Sequence, residues 1–355
     1  MSQDFSGTKP VDERQQFDVA RLEQYLKGKI AGFEGPLTVE QFKGGQSNPT
    51  FKLITPEKKY VLRRKPAGKL LASAHAVDRE YKVITALLGS EVPVARTHVL
   101  CEDDSVIGTA FYVMDCVEGR VMWDPTLPGM TPEQRSAIFD EMNRVIAALH
   151  CVDYAAIGLA DYGKPGNYFA RQIDRWSKQY RASETKRIEA FENLMLWLPK
   201  NIPAGDETSI VHGDYRLDNM IFHPTEPRVL AVLDWELSTL GHPLADFSYH
   251  CMTWHIPKGV FRGLGGAKLV ELGIPLEPDY VSTYCRRTGR DGIDANDWDF
   301  YMAYNLFRLG AILQGIAGRV KDGTAASAQA KAMGEAAGPL AELGWKQVEK
   351  ILGRR

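Results

Sequence analysis

The chain has 355 residues, 44% of them hydrophobic and 25% charged, with a formal charge of -2 at pH 7. That is an ordinary globular composition, ample for one large domain or two lobes, and its interleaved charges give no electrostatic footprint for nucleic acid or for an anionic membrane. Cys101, Cys116, Cys151, Cys251 and Cys285 form no CxxC pair, no apolar run approaches the length of a membrane span, and the first residues lack an apolar signal core, so a reduced, cytoplasmic protein is expected.

The polar, turn-rich start predicts a flexible segment over residues 1–15. From 16 to 118 short β-like runs dominate: Leu37 to Lys43, Thr50 to Ile54, Tyr60 to Arg64, Thr97 to Leu100 and Ala110 to Val117. Turn residues at 56–59 and 102–105 join neighbours, so a small antiparallel sheet is predicted. One helix interrupts it, from Ser73 to Leu88, with Val77, Tyr81, Ile84 and Leu88 on one face. After Gly119 the chain turns helical. Thr131-Pro132-Glu133-Gln134 combines an N-cap, a proline at the first helical position and a capping-box glutamine, ahead of a stripe of Ile138, Met142, Val145 and Leu149. Further helical patterns cover Tyr168 to Ser183, Arg187 to Leu198, Asp297 to Val320, and Ala325 to the C-terminus. Among them lies a β-rich hairpin over 209–237. The expected class is α+β, with a β lobe over 16–118 and a helical lobe over 119–355.

The sharpest chemical signal is His212-Gly213-Asp214-Tyr215-Arg216-Leu217-Asp218-Asn219. Phosphoryl transfer to a hydroxyl needs a carboxylate to orient the hydroxyl and accept its proton, and ligands for the Mg²⁺ that rides on the phosphates. Asp214 with Asn219 five residues later supplies such a pair within one tight loop. Asp234 ends the apolar run Val229 to Leu233, so its carboxylate emerges at a strand tip. Asn219 and Asp234 are both hard oxygen ligands suited to Mg²⁺. Two unrelated polar turns would explain either motif alone; their joint occurrence, in this order, favours a catalytic reading.

HGDYRLDNMIF followed by VLDWELSTLGHPLADFSY resembles the aminoglycoside phosphotransferase and choline kinase family, which has the protein-kinase-like fold. YVLRRKPAGKLLASAHAVDREY and RQIDRW are similar to the kinase-like domain of acyl-CoA dehydrogenase family members ten and eleven. The resemblance runs from about Phe33 to the last helices. It implies a two-lobed fold with ATP in the cleft between lobes, Asp214 as catalytic base, and Asn219 and Asp234 as magnesium ligands. The reaction it implies is transfer of the γ-phosphate to a small-molecule hydroxyl.

The first half of the chain adds candidates of its own. Gly44, Gly45, Gln46 and Ser47 lie between two predicted strands, where a loop can fold over phosphates with its N–H groups, although Gly-Gly between strands also makes ordinary hairpin turns. Val61 and Arg63 share one strand face. The kinase pattern places a phosphate-binding lysine where Arg63 stands; an arginine fork can still grip phosphate and carboxylate together. Its carboxylate is expected to be Glu80, which falls inside the helix's apolar stripe and needs a partner there. An exposed Glu80 at the stripe's margin is the plainer alternative, and Arg64 or Lys65 the alternative cation. By resemblance, backbone groups of Cys116 and Val117 meet the adenine edge. His250, Cys251 and His255 have metal-like spacing but are expected to pack, and Asp246 is expected to brace the catalytic hairpin.

For the acceptor, the candidates are the helix carrying Arg171, Arg175 and Trp176 and the helix containing Tyr304, Phe307, Arg308 and Gln314, on which Tyr304, Phe307, Arg308 and Ala311 share a face. Arginines among aromatics suit an anionic or partly apolar acceptor; a structural carboxylate satisfying Arg308 is the alternative. The resemblance points to a hydroxyacyl-CoA or hydroxy acid. The rival functions are an inactive nucleotide-binding pseudokinase, for which Arg63 leaves room, an aminoglycoside or other alcohol kinase, and a protein kinase. HGD in place of HRD, with no APE-type ending after Asp234, argues against the last.

Overall fold

Short alternating runs make strands and capped, striped runs make helices in a computed structural model that describes residues 7–43, 48–66, 76–324 and 328–354. In chain order the strands are β1 (Thr8–Lys9), β2 (Thr38–Phe42), β3 (Thr50–Ile54), β4 (Lys59–Arg64), β5 (Thr97–Cys101), β6 (Phe111–Asp115), β7 (Ser209–Val211), β8 (Met220–Phe222), β9 (Val229–Val232) and β10 (Thr239–Gly241). The helices are α1 (Val19–Lys27), α2 (Val77–Leu87), α3 (Pro132–Cys151), α4 (Tyr168–Ser183), α5 (Glu189–Trp197), α6 (Pro243–Cys251), α7 (Leu269–Leu272), α8 (Glu277–Thr288), α9 (Ala295–Lys321), α10 (Ala328–Glu335) and α11 (Ala337–Arg354). The fold is α+β. The chain divides into two units: Met1–Val121 with Ala155–Tyr162 and Asp218–Ser238, and Met122–Tyr154 with Gly163–Leu217 and Thr239–Arg355.

The first unit is built on a six-stranded sheet in the order β1-β2-β3-β4-β6-β5, every pairing antiparallel. Alternation along β3 turns Phe51 and Leu53 into a core shared with Leu22, Leu26, Ile30 and Phe33. α1 starts where Asp18 accepts a hydrogen bond from the Arg21 N–H at 2.9 Å. In α2 the buried positions are Val77, Glu80, Val83, Ile84 and Leu87. The stripe is therefore rotated from the one read in the sequence: Tyr81 is half-buried and Leu88 exposed. Residues 73–75, where the helix was expected to begin, lie outside the described residues. The β8–β9 hairpin joins this unit through the Val232 N–H to the Pro93 carbonyl at 2.9 Å and an antiparallel bridge between Arg120 and Phe222. Only glycine fits at 119, because a Cβ there would stand 2.2 Å from the Phe222 carbonyl oxygen.

The second unit is mainly helical. Thr131 caps α3 with the reciprocal box: its hydroxyl accepts from the Gln134 N–H at 3.3 Å, and the Gln134 amide oxygen accepts from the Thr131 N–H at 2.9 Å. Ile138, Met142, Val145 and Leu149 are buried as the stripe predicts. α9 is buried at every residue from Asp299 to Ala311. β7 pairs with β10, setting Ile210 against Leu240. The single helix expected from Ala325 onward is instead α10 and α11, divided at Ala336. Among the described residues no helix is long and apolar enough to cross a membrane.

Candidate active site

In the first unit the chemistry starts from register. Arg63 on β4 stands opposite Tyr112 on β6, so both side chains meet Glu80 on α2. Arg63 Nε lies 2.9 Å from Glu80 Oε2, and its Nη2 lies 2.7 Å from Asp234 Oδ1 and 3.5 Å from Glu236 Oε2. Glu80 is 1% exposed; it also accepts from Asn48 Nδ2 at 2.7 Å and from the Tyr112 hydroxyl at 3.0 Å. Burial pushes the Glu80 carboxyl up in pKa, with Arg63 pulling the other way. Burial also opposes the Arg63 charge, but Glu80, Tyr112, Asp234 and Glu236 outweigh it and the guanidinium is held well above its ordinary value. The alternative cations are occupied elsewhere. Arg64 donates to the Gln15 carbonyl and amide oxygens at 2.9 and 2.8 Å, and Lys65 faces Asp78 at 3.8 Å.

Asp234 adopts the left-handed region, φ 63° and ψ 61°, which aspartate tolerates better than most residues and which turns it sharply off β9. The Leu233 N–H donates to the Asn219 carbonyl at 2.8 Å, beside the Met220–Val232 pair. Asn219 and Asp234 therefore flank the same end of the β8–β9 hairpin. An amide oxygen and a carboxylate are the hard donors Mg²⁺ takes, and it commonly uses one or two protein ligands and completes its shell with phosphates and water. The residues fit that ion. Gly44, Gly45, Gln46 and Ser47 lie outside the described residues. Cys116 and Val117 follow β6 directly; the Cys116 N–H donates to the Lys59 carbonyl at 3.3 Å, and burial raises the Cys116 thiol.

In the second unit Asp214 follows β7 through Gly213, whose φ of +83° makes the turn. Asp246, at the start of α6, accepts from the N–H groups of His212 and Gly213 at 2.7 and 2.8 Å. His150 stands 3.3 Å from Asp246, and although burial works against ionisation these partners hold the Asp246 carboxyl below its ordinary pKa. The Asp214 carboxylate accepts from the Tyr249 hydroxyl at 2.7 Å and pairs with Arg216 at 3.0 Å. Arg308 donates to the Gly213 carbonyl at 2.7 Å, with its guanidinium 4.8 Å from the Tyr249 ring centre and 5.7 Å from that of Trp176. Arg175 lies 5.3 Å from the same indole. Arg175, Trp176 and Arg308 thus come together, and among the described residues no carboxylate pairs with Arg308. Arg216 also lies 5.7 Å from the Phe261 ring; Phe261 and Arg262 have φ of 37° and 59°, two successive strained residues beside the Asp214 ion pair. His250 bonds the Tyr280 hydroxyl and His255 pairs with Glu277.

Sequence reasoning missed Asn48 and Tyr112 as Glu80 donors, Glu236 as a third carboxylate near Arg63, and Tyr249 as the Asp214 partner. Only Glu236 carried a signal, two residues after Asp234.

A family model described as the phosphotransferase enzyme family matches residues 38–304. The chain belongs to that family. This phosphotransferase is 46% identical over 342 residues to mouse acyl-CoA dehydrogenase family member 10, covering 96% of this chain and 32% of the mouse protein. It spans about a third of that relative's length. A crystal structure of a candidate aminoglycoside phosphotransferase from Ralstonia eutropha is 60% identical with a TM-score of 0.89, covering 94% of this chain and 99% of that one. A thermostable aminoglycoside phosphotransferase mutant solved with AMP-PNP and hygromycin B shares the fold: TM-score 0.57, 16% identity, 91% of this chain and 98% of that one.

Proposed function

We propose that this phosphotransferase moves the γ-phosphate of ATP to a hydroxyl of a small anionic acceptor, of the hydroxy acid or hydroxyacyl-CoA class. The observation that carries this reading is the Asp214 carboxylate, held by Tyr249 on one oxygen and Arg216 on the other. A carboxylate so fixed can orient an acceptor hydroxyl and take its proton as the oxygen attacks phosphorus. Arg63, fixed by Glu80, grips phosphate oxygens, and Asn219 and Asp234 would hold Mg²⁺. When bound, that ion screens the charge that gathers on the phosphates. Backbone groups at Cys116 and Val117 would meet the adenine edge, and Gly44, Gly45, Gln46 and Ser47 the phosphates.

The acceptor class rests on Arg308. It is a buried guanidinium whose described partners are a carbonyl and two aromatic rings, next to the turn that carries Asp214. A buried cation gains most from an anion brought by the ligand. The name of the mouse relative adds the acyl-CoA chemistry. The competing aminoglycoside reading draws on the Ralstonia protein's description, but a polycation would meet Arg308 and Arg175. The test is phosphate transfer from Mg-ATP to 4-hydroxyacyl-CoA and hydroxy acid acceptors against kanamycin. Higher kcat/KM with the hydroxyacyl series is expected; higher kcat/KM with kanamycin refutes the acceptor class. Absence of transfer to every acceptor, with nucleotide still bound, would return the protein to the pseudokinase reading.

A further inference from the structure

Arg79 precedes Glu80 on α2 and makes a second set of contacts within the first unit. Its Nη2 donates to the Tyr162 carbonyl at 2.6 Å, and its guanidinium lies 4.3 Å from the Tyr162 ring centre. The Tyr162 hydroxyl lies 2.6 Å from Ser238 Oγ and 3.3 Å from the Arg79 carbonyl. Ser238 has one hydroxyl proton, and that proton goes to the Trp235 carbonyl at 2.5 Å. Tyr162 in turn has one hydroxyl proton for two acceptors, Ser238 Oγ and the Arg79 carbonyl. Tyr162 is 1% exposed and Ser238 3% exposed, so both hydroxyls lie where a lost partner is felt in full. Among the described residues, no hydrogen bond or ion pair joins these three side chains to Arg63 or Asp234.

The contacts nevertheless close a circuit. Arg63 reaches Glu80, α2 carries Glu80 beside Arg79, Arg79 and Ser238 share Tyr162, and the turn Trp235–Leu237 leads from Ser238 back to Asp234, which returns to Arg63. We propose that Tyr162 is a positioning residue that latches α2 to the Asp234 turn, so that Glu80 and Asp234 hold Arg63 from opposite ends for the nucleotide. A helix is free to slide or rotate by an ångström where only surface pairs restrain it. Arg79 Nη2 also reaches the Ser238 carbonyl at 3.5 Å, and Lys82 pairs with Asp161 at 2.6 Å on the exposed surface, where such a pair is weak. The latch rests on the proposed use of Mg-ATP, and it concerns a side chain that would not meet that ligand.

The experiment is calorimetric binding of Mg-ATP to the full chain. Tyr162→Phe keeps the ring under Arg79 and removes the hydroxyl that contacts both Ser238 Oγ and the Arg79 carbonyl. Affinity for Mg-ATP is expected to fall about 3- to 10-fold, the span of one or two net hydrogen bonds. In a Glu80→Gln background, where α2 no longer holds Arg63 by a carboxylate, the same change should move affinity by less than about twofold. Ser238→Ala should reproduce the loss and Ser238→Thr should preserve affinity; if Tyr162→Phe does not fold, this pair carries the test. A Tyr162→Phe protein that melts earlier yet binds Mg-ATP like wild type overturns the latch. So does an equal loss with and without Glu80. Failure of the wild-type chain to bind Mg-ATP would instead overturn the nucleotide reading, and the latch with it.

Discussion

Glu80 and Arg63 allow a quantitative test of the buried charge system. Removing one member of a buried ion pair typically costs about 3–5 kcal/mol, because the other charge is left unpaired. Glu80→Ala does not leave Arg63 alone, since Asp234 remains at 2.7 Å and Glu236 at 3.5 Å. It does remove the acceptor that Asn48 Nδ2 and the Tyr112 hydroxyl share, at about 1 kcal/mol or more for each buried donor, so a loss near 3 kcal/mol is expected. Arg63→Ala leaves a carboxylate at 1% exposure with two neutral donors. Its loss should reach about 4 kcal/mol at neutral pH. Because the pair is broken either way, the double variant should cost roughly 2 kcal/mol less than the sum. Urea denaturation of the four proteins measures this coupling. The Arg63→Ala loss should also depend on pH. Glu80's folded pKa is raised by burial and, without Arg63, rises further; stability from such a group is present at low pH and lost as pH climbs through the folded value. The penalty should therefore be smaller at pH 5 than at pH 8. Additivity within about 0.5 kcal/mol would show that the two side chains do not act as a pair. A penalty larger at pH 5 than at pH 8 would refute the burial argument.

Asp214→Asn should leave Mg-ATP affinity unchanged and lower turnover by about 10²–10⁴-fold, the usual loss of a general base; a variant keeping more than about half the wild-type rate would remove Asp214 from that role. His242 and His250 are each lowered by burial from 6.5 to about 4, so the unfolded chain takes up protons that the native one refuses. Stability should fall between pH 6.5 and 4 by about 1.4 kcal/mol per unit for each histidine, and His250→Gln should remove roughly half of that slope in urea midpoints; an unchanged slope would count against it.

Where local chemistry decides structure, the sequence was readable. Thr131, Pro132 and Gln134 announce α3, and alternation announces β3 and β4. The Arg63–Glu80 pair could be read because a glutamate on an apolar helix stripe demands a cation, and Arg63 and Arg64 point to opposite strand faces. α6 could not be found by periodicity, because all nine of its residues are buried and a helix covered on every side has no stripe. α8 was missed although it carries Pro278 in its first turn and Gly289 at its end, the usual start and stop signals. The α2 stripe was rotated because Tyr81 and Leu88 are as apolar as Val83 and Leu87, so composition alone leaves the face ambiguous. Tyr249 and Asn48 were out of reach: their roles depend on contacts 35 and 32 residues away along the chain.

Charge balance separates the two clusters by the ligands they call for. Around Arg63 stand Glu80, Asp234 and Glu236, three carboxylates on one guanidinium. Carboxylates outnumber the guanidinium there, and that is the surrounding the proposed Mg²⁺ would need. This is also why an arginine can occupy the position of the usual lysine: its fork reaches Glu80 through Nε and Asp234 through Nη2, two duties that a single ammonium would have to share. Around Asp214 the balance is reversed. Arg216 neutralises that carboxylate, while Arg308 stays cationic with a carbonyl and two rings for company, its charge favoured by the neighbouring Tyr304, Tyr168, Tyr249 and Asp214 against the burial that opposes it. Truncating Arg308 should therefore cost an anionic acceptor its affinity while leaving nucleotide binding alone. Under the proposed acceptor class a neutral or cationic acceptor gains nothing from Arg308, and an equal loss of affinity for such an acceptor on truncation would refute that class.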